Sequence, residues 1–119
     1  KLNFFLKRKK NIRKYYKKKI EKIKGVKILK SPKYSKNNNW LNLVEMSQKE
    51  KTKKIIKKFN SNGFQSRPVW HPNHLQRAFK KNYSYKIKKA QEYVKSIICL
   101  PSSANLKKAQ IEQIVNLLK

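Results

Sequence analysis

Between Phe59 and Ala78 the chain has no lysine, although it carries 33 Lys and Arg against five Asp and Glu. In that interval stands Ser66-Arg67-Pro68-Val69-Trp70-His71-Pro72-Asn73-His74-Leu75-Gln76, with both histidines, one of two tryptophans and two of four prolines. Arg67 offers a planar fork suited to a carboxylate or diphosphate. Trp70 offers a flat face for a base or a sugar ring, and His71 and His74 can donate, accept or shuttle a proton near neutral pH. Pro68 and Pro72 fix their own φ and push Arg67 and His71 toward extended backbone, so the loop presents these side chains with little entropy left to lose. Arg67, Trp70, His71 and His74 are therefore the candidate binding residues. The residues alone leave a second reading open, in which Trp70 is core, Arg67 a surface pair and the histidines cap a turn.

Other chemistry is poorly provided for. His71, His74 and Cys99 are the only soft metal ligands; Pro72 forbids a helical pair of histidines and no carboxylate lies near them in the sequence, so no metal site is expected. Five glutamates and no aspartate give no paired-carboxylate site, and Gly25 and Gly63, the only glycines, cannot build a phosphate-cradling loop. Cys99 is the single cysteine, within Ser96-Ile97-Ile98-Cys99-Leu100, where it reads as a small buried hydrophobe; no internal disulfide is possible and a reducing, cytoplasmic setting is expected.

The elements that must position the loop follow from periodicity. Leu2, Phe5, Ile12, Tyr16, Ile20 and Ile23 recur at helical spacing and predict a long first helix, closed by Gly25. Val26–Leu29 and Trp40–Met46 predict strands, the second a central one, separated by a polar loop through Asn37-Asn38-Asn39. Ser47-Gln48-Lys49-Glu50 has the form of a capping box for a helix with Ile55, Ile56 and Phe59, ended by Asn60-Ser61-Asn62-Gly63. Phe64–Trp70 predicts a third strand. Ser84 is the expected N-cap of a helix carrying Ile87, Ala90, Val94 and Ile97, Pro101 breaks it, and a last helix holds Ile111, Ile114, Val115 and Leu118 inward. The order predicts an α+β fold, a small antiparallel or mixed sheet of about three strands with helices packed on it, forming one domain over residues 1–119.

Leu, Ile, Val and Phe supply 31 of 119 residues, enough for a modest core. The apolar runs are too short to span a bilayer, and Leu2–Leu6 is too short for a signal peptide. A net charge of +28 attracts phosphate backbones, yet only four of the basic residues are Arg, the side chain that specific nucleic-acid readers favour. Lys with Asn and Ile is also the surplus an AT-rich genome produces. A nucleic-acid or ribosome-binding module is thus the alternative reading, separable by whether Lys is gathered in one place or spread over every exposed surface. The chain opens at Lys1 and predicts helix almost at once, as a piece of a longer protein would.

Asn62-Gly63-Phe64-Gln65-Ser66-Arg67-Pro68-Val69-Trp70, then His74-Leu75-Gln76, Ser84-Tyr85-Lys86-Ile87 and Cys99-Leu100-Pro101-Ser102-Ser103, resembles the C-terminal segment of the DegT/DnrJ/StrS family of pyridoxal-phosphate-dependent sugar-nucleotide aminotransferases. Lys7-Arg8-Lys9-Lys10-Asn11-Ile12 with Tyr15 and Tyr16, and Trp40-Leu41, are similar to its opening helix and following strand, so the resemblance runs over nearly the whole chain in order. It is closest to the branch acting on UDP-linked N-acetylated amino sugars. The resemblance implies the small C-terminal domain of a fold-type I enzyme, packed in the complete protein on a large cofactor-binding domain, with sites formed at a homodimer interface. It implies pyridoxal phosphate as cofactor, glutamate as amino donor, and a nucleotide-linked keto amino sugar as acceptor, in cell-surface polysaccharide or glycan precursor synthesis. Arg67, Trp70 and His74 match the family's loop on the sugar-nucleotide side, and His71 matches less closely. The Schiff-base lysine and the cofactor's other partners match nothing here, so this chain alone is expected to bind no cofactor and to be inactive.

Overall fold

The computed structural model describes residues 1–119. Helix α1, Leu2–Ile20, follows from its apolar stripe: Ile12, Tyr16 and Ile20, four residues apart, are all buried. The stripe's first members are not: Leu2 and Phe5 stay exposed, as does Phe4 beside them. Gly25 then takes φ +79°, a left-handed turn that sends the chain into β1, Val26–Ile28. Strand β2, Asn42–Met46, runs antiparallel to it with Val26 opposite Met46 and Ile28 opposite Val44. Helix α2 is Thr52–Ser61 and α4 is Lys108–Leu117.

The sheet has four strands in the order β1, β2, β4, β3, all antiparallel. Strand β4, Ile97–Leu100, lies between β2 and β3, the last only Arg67–Pro68. The sequence predicts about three strands because Ile97 falls in helical register with Val94, and the segment reads as the end of a helix. In fact α3 stops at Ser96 and β4 begins at the next residue. A strand paired on both edges and covered on both faces shows a continuous apolar run without alternation, and all four residues of β4 are buried.

Val26, Ile28, Val44, Met46, Ile98 and Leu100 share one core with Ile12, Tyr16 and Ile20 of α1, Phe59 of α2 and Ile111, Ile114 and Val115 of α4. Helices α1, α2 and α4 therefore cover one face of the sheet, while α3, Lys88–Ser96, packs beside β2 and the turn at Lys49–Lys51. Three local expectations are corrected. Ser47 does not cap α2: a 3-10 turn intervenes, and the Ser47 N–H donates to the Gly25 carbonyl at 2.8 Å, tying the end of β2 to the Gly25 turn. Ser84 does not cap α3, whose N-cap is Ile87 and whose Ile87 is exposed. The Phe64–Trp70 segment pairs only at Arg67 and Pro68, because Pro68 has no N–H to extend the ladder. No helix is long and apolar enough to cross a membrane.

Candidate functional site

The loop after α2 is pinned just before Arg67. Ser66 is buried; its N–H donates to Asn60 Oδ1 at 3.0 Å and its hydroxyl to the Cys99 carbonyl at 2.9 Å. Arg67, next along, points its guanidinium at Trp70, 5.6 Å from the ring centroid, within cation–π range. Trp70 in turn meets Trp40, with centroids 6.1 Å apart and planes tilted by 39°. Trp40 is held by the asparagine run before it. Asn38 Oδ1 accepts the Trp40 N–H at 3.0 Å, Asn37 Oδ1 accepts the Asn39 N–H, and Asn39 takes φ 55°, a left-handed conformation that asparagine tolerates.

Both indoles are more than half exposed, at 62% for Trp40 and 59% for Trp70. Two large aromatic faces left in water beside an exposed arginine form a ready recognition surface, since Trp and Arg are the side chains that gain most on desolvation by a partner. Arg67 also borders an open groove of about 780 Å3, walled by Asn60, Gln65, Ser66 and the Leu100–Ser103 segment. Ser102 is set in place there: its hydroxyl accepts from the Asn42 N–H and from Asn42 Nδ2, both at 3.0 Å, and donates to the Leu100 carbonyl at 2.9 Å. Arg67 is the only charged side chain lining this groove. Burial pushes the Cys99 thiol up, an effect that the nearby Arg67 partly offsets, so Cys99 is a protonated wall and no nucleophile.

The four candidate residues do not form one cluster. Arg67 and Trp70 stand together with Trp40. His74 lines a separate groove of about 470 Å3 with Pro72, Phe79, Tyr83 and Tyr85, and its Nε2 lies 3.3 Å from the Gln91 side-chain amide. His71 is exposed and borders neither groove; its carbonyl accepts from Gln76 Nε2. Nor do three His, Cys, Asp or Glu side chains gather anywhere into a metal-holding group. The sequence reading missed Trp40 as a surface residue by taking it for the start of a strand. The three asparagines before it, a turn-forming run, were the available signal.

A profile of the DegT/DnrJ/EryC1/StrS aminotransferase family matches residues 1–119. The chain belongs to the DegT/DnrJ/EryC1/StrS aminotransferase family. Among curated proteins none matches it. Solved structures of the same fold include Spr1654 from Streptococcus pneumoniae, assigned as a sugar aminotransferase and solved in PMP and PLP forms; its PMP form has TM-score 0.85 and 20% identity, covering 97% of this chain and 30% of that one. Helicobacter pylori PseC, an aminotransferase of pseudoaminic acid biosynthesis, superposes at 0.82 with 19% identity over 95% of this chain and 31% of its own. DesI, solved in the presence of its TDP-sugar product, superposes at 0.84 with 14% identity over 95% of this chain and 30% of its own. This family member thus spans about 30% of the length of the enzymes it is similar to. Its α+β fold is that of their corresponding part.

Proposed function

We propose that this chain is a single C-terminal domain, residues 1–119, of a pyridoxal-phosphate-dependent aminotransferase acting on a nucleotide-linked keto amino sugar. The observation that carries the reading is the Arg67–Trp70–Trp40 surface at the rim of a groove lined by no lysine, in a chain with 29 of them. Arg67 would take the diphosphate through charge-assisted hydrogen bonds, and the two indoles the flat face of the base or sugar. His71 and His74 would meet sugar hydroxyls from the far end of the same loop.

The residues of this chain do not make a site for the cofactor. A Schiff-base lysine is a desolvated one, and a carboxylate that pairs with the pyridine nitrogen is sheltered from water. None of the 22 buried residues is a lysine or a glutamate, and there is no aspartate. In our reading the cofactor belongs to the remaining two-thirds of the enzyme, on which this domain packs, with a second subunit completing the site. The chain alone would be inactive. Glutamate as donor, a role in surface polysaccharide or glycan synthesis, and a cytoplasmic location are part of the same proposal.

The test is Arg67→Ala in the full-length enzyme. Loss of a charge-assisted bond of about 1.5–3 kcal/mol raises KM for the nucleotide sugar about 10-fold or more, with the KM for glutamate unchanged. An unaltered nucleotide-sugar KM rejects the assignment.

A further inference from the structure

The lysines of this chain stand exposed on every helix and on β1, yet they do not line every groove. The groove beside Arg67 has none, and neither does the groove at His74, although Lys80, Lys81, Lys86, Lys88 and Lys89 lie within or beside that stretch of sequence. A third groove, of about 530 Å3, runs between α1 and the start of α4. Half of its ten lining residues are basic: Arg8, Lys14, Lys18, Lys107 and Lys108. Buried Ile12, Leu106 and Ile111 form its floor, with half-buried Tyr15 among them.

The walls are fixed to one another. The Arg8 guanidinium donates to the carbonyls of Ala104 and Leu106, each at 3.2 Å, so the segment leading into α4 is tied to α1. No carboxylate lines the groove. The nearest in sequence, Glu112, already accepts from Lys19 Nζ and from the Tyr15 hydroxyl, both at 2.7 Å. The chain's other ion pair joins Lys17 to Glu21. Lys14, Lys18, Lys107 and Lys108 are therefore exposed cations with no acidic partner, Lys14 and Lys18 one turn apart, about 6 Å along the helix.

We propose that this groove binds a single-stranded polynucleotide, its phosphates against the basic rims and its sugars or bases over the apolar floor beside Tyr15. Basic rims that track a backbone over an aromatic-containing recess are the physical requirements for such a strand, and released counterions supply the free energy. A duplex keeps its bases stacked and paired, so it would meet such a groove only through its phosphates and could place no base on the apolar floor. A membrane surface needs apolar side chains that project beyond the cations, whereas here they lie below them. The inference stands apart from the aminotransferase reading, because it uses none of the same residues.

The experiment measures fluorescence anisotropy of a labelled oligouridylate of about twelve residues with the full-length protein, from about 50 to 200 mM salt. Four phosphate contacts on a single strand contribute a slope of about −3 in log affinity against log salt, so affinity falls about 50-fold over that range. The variant K14Q/K18Q/K107Q/K108Q should flatten the slope by about 3 and weaken binding at least about 10-fold at the lower salt. K53Q/K54Q/K57Q/K58Q removes the same four charges from exposed positions of α2 outside the groove, and should stay within about 2-fold of the parent. K14R/K18R/K107R/K108R, which keeps the charge, should bind as the parent does, and circular dichroism melts check that all three fold. Equal losses in the two glutamine variants would assign the attraction to net charge and overturn the proposal. Absence of binding at the lower salt overturns it too, as does groove-dependent binding to phosphatidylserine vesicles in preference to the oligonucleotide.

Discussion

Gly25→Ala probes the turn that fixes the first strand, and its cost can be worked from geometry. Gly25 holds φ +79°, and a β-carbon placed there would lie 2.6 Å from Ser47 Oγ. Left-handed backbone costs an L-residue about 1–2 kcal/mol. The overlap adds less, because Ser47 Oγ can swing away on one bond at a cost of about 1 kcal/mol. A stiffer unfolded chain returns roughly 0.5 kcal/mol, which leaves a net loss of about 2 kcal/mol. At about 4 °C per kcal/mol for a chain of this length, the melting temperature falls by about 8 °C, read by circular dichroism. The Ser47→Ala background separates the two parts. The Ser47 Cβ would be 3.8 Å from the new methyl, an ordinary contact, so only the backbone part less the unfolded-chain return, about 0.5–1.5 kcal/mol, should remain. Gly25→Asn should cost less than Gly25→Ala, since asparagine tolerates this conformation. A loss below about 0.5 kcal/mol for Gly25→Ala would refute the positive φ, and an undiminished loss in the Ser47→Ala background would refute the overlap.

Tyr16 is fully buried and its hydroxyl donates to the Pro101 carbonyl at 2.9 Å, so Tyr16→Phe should destabilise by about 1–2 kcal/mol in urea titrations; no change would show that the bond adds nothing. Cys99, its thiol raised by burial, should react with a thiol-directed disulfide reagent at neutral pH far more slowly than in urea, and equal rates would contradict its burial. Its linkage has the same cause: the thiol's raised pKa stabilises the fold below the usual thiol range, and that contribution is lost as pH rises through the raised value. Glu112 is held below the usual carboxylate range by hydrogen bonds from Lys19 and then Tyr15, so its contribution is present above that range and lost as pH falls through the lowered value. Glu112→Gln should flatten the acid side of the stability curve, and superimposable curves for parent and variant would refute the linkage.

The parts of the fold legible in the sequence are those where one face is wet. α1, β1, α2 and α4 each alternate buried and exposed positions at their own period, β2 alternates buried with half-buried ones, and Gly25 and Gly63 mark the turns with φ of +79° and +75°. β4 was hidden because complete burial erases the alternation, and its two isoleucines continue the spacing of α3. The Ser47 box failed because its backbone N–H found the Gly25 carbonyl, a partner 22 residues away that no local pattern announces. The chemistry of Arg67 and Trp70 was readable from residue type and from the prolines. The separation of His74 was not, since the 3-10 turn at Asn73–Leu75 directs it to the pocket beside α3. Trp40, distant in sequence, entered only when β2 and β3 were brought to either side of β4.

The two rims of the sheet have a consequence for how the molecule can go wrong. One outer strand is two residues long and includes a proline, and the other is three residues long with the exposed Lys27 at its centre. Neither offers a foreign segment an unbroken row of donors and acceptors to zip onto. Clumping at high concentration would therefore run through exposed apolar side chains outside the sheet, Trp40 and Trp70 among them, as amorphous and detergent-soluble material rather than as ordered fibrils.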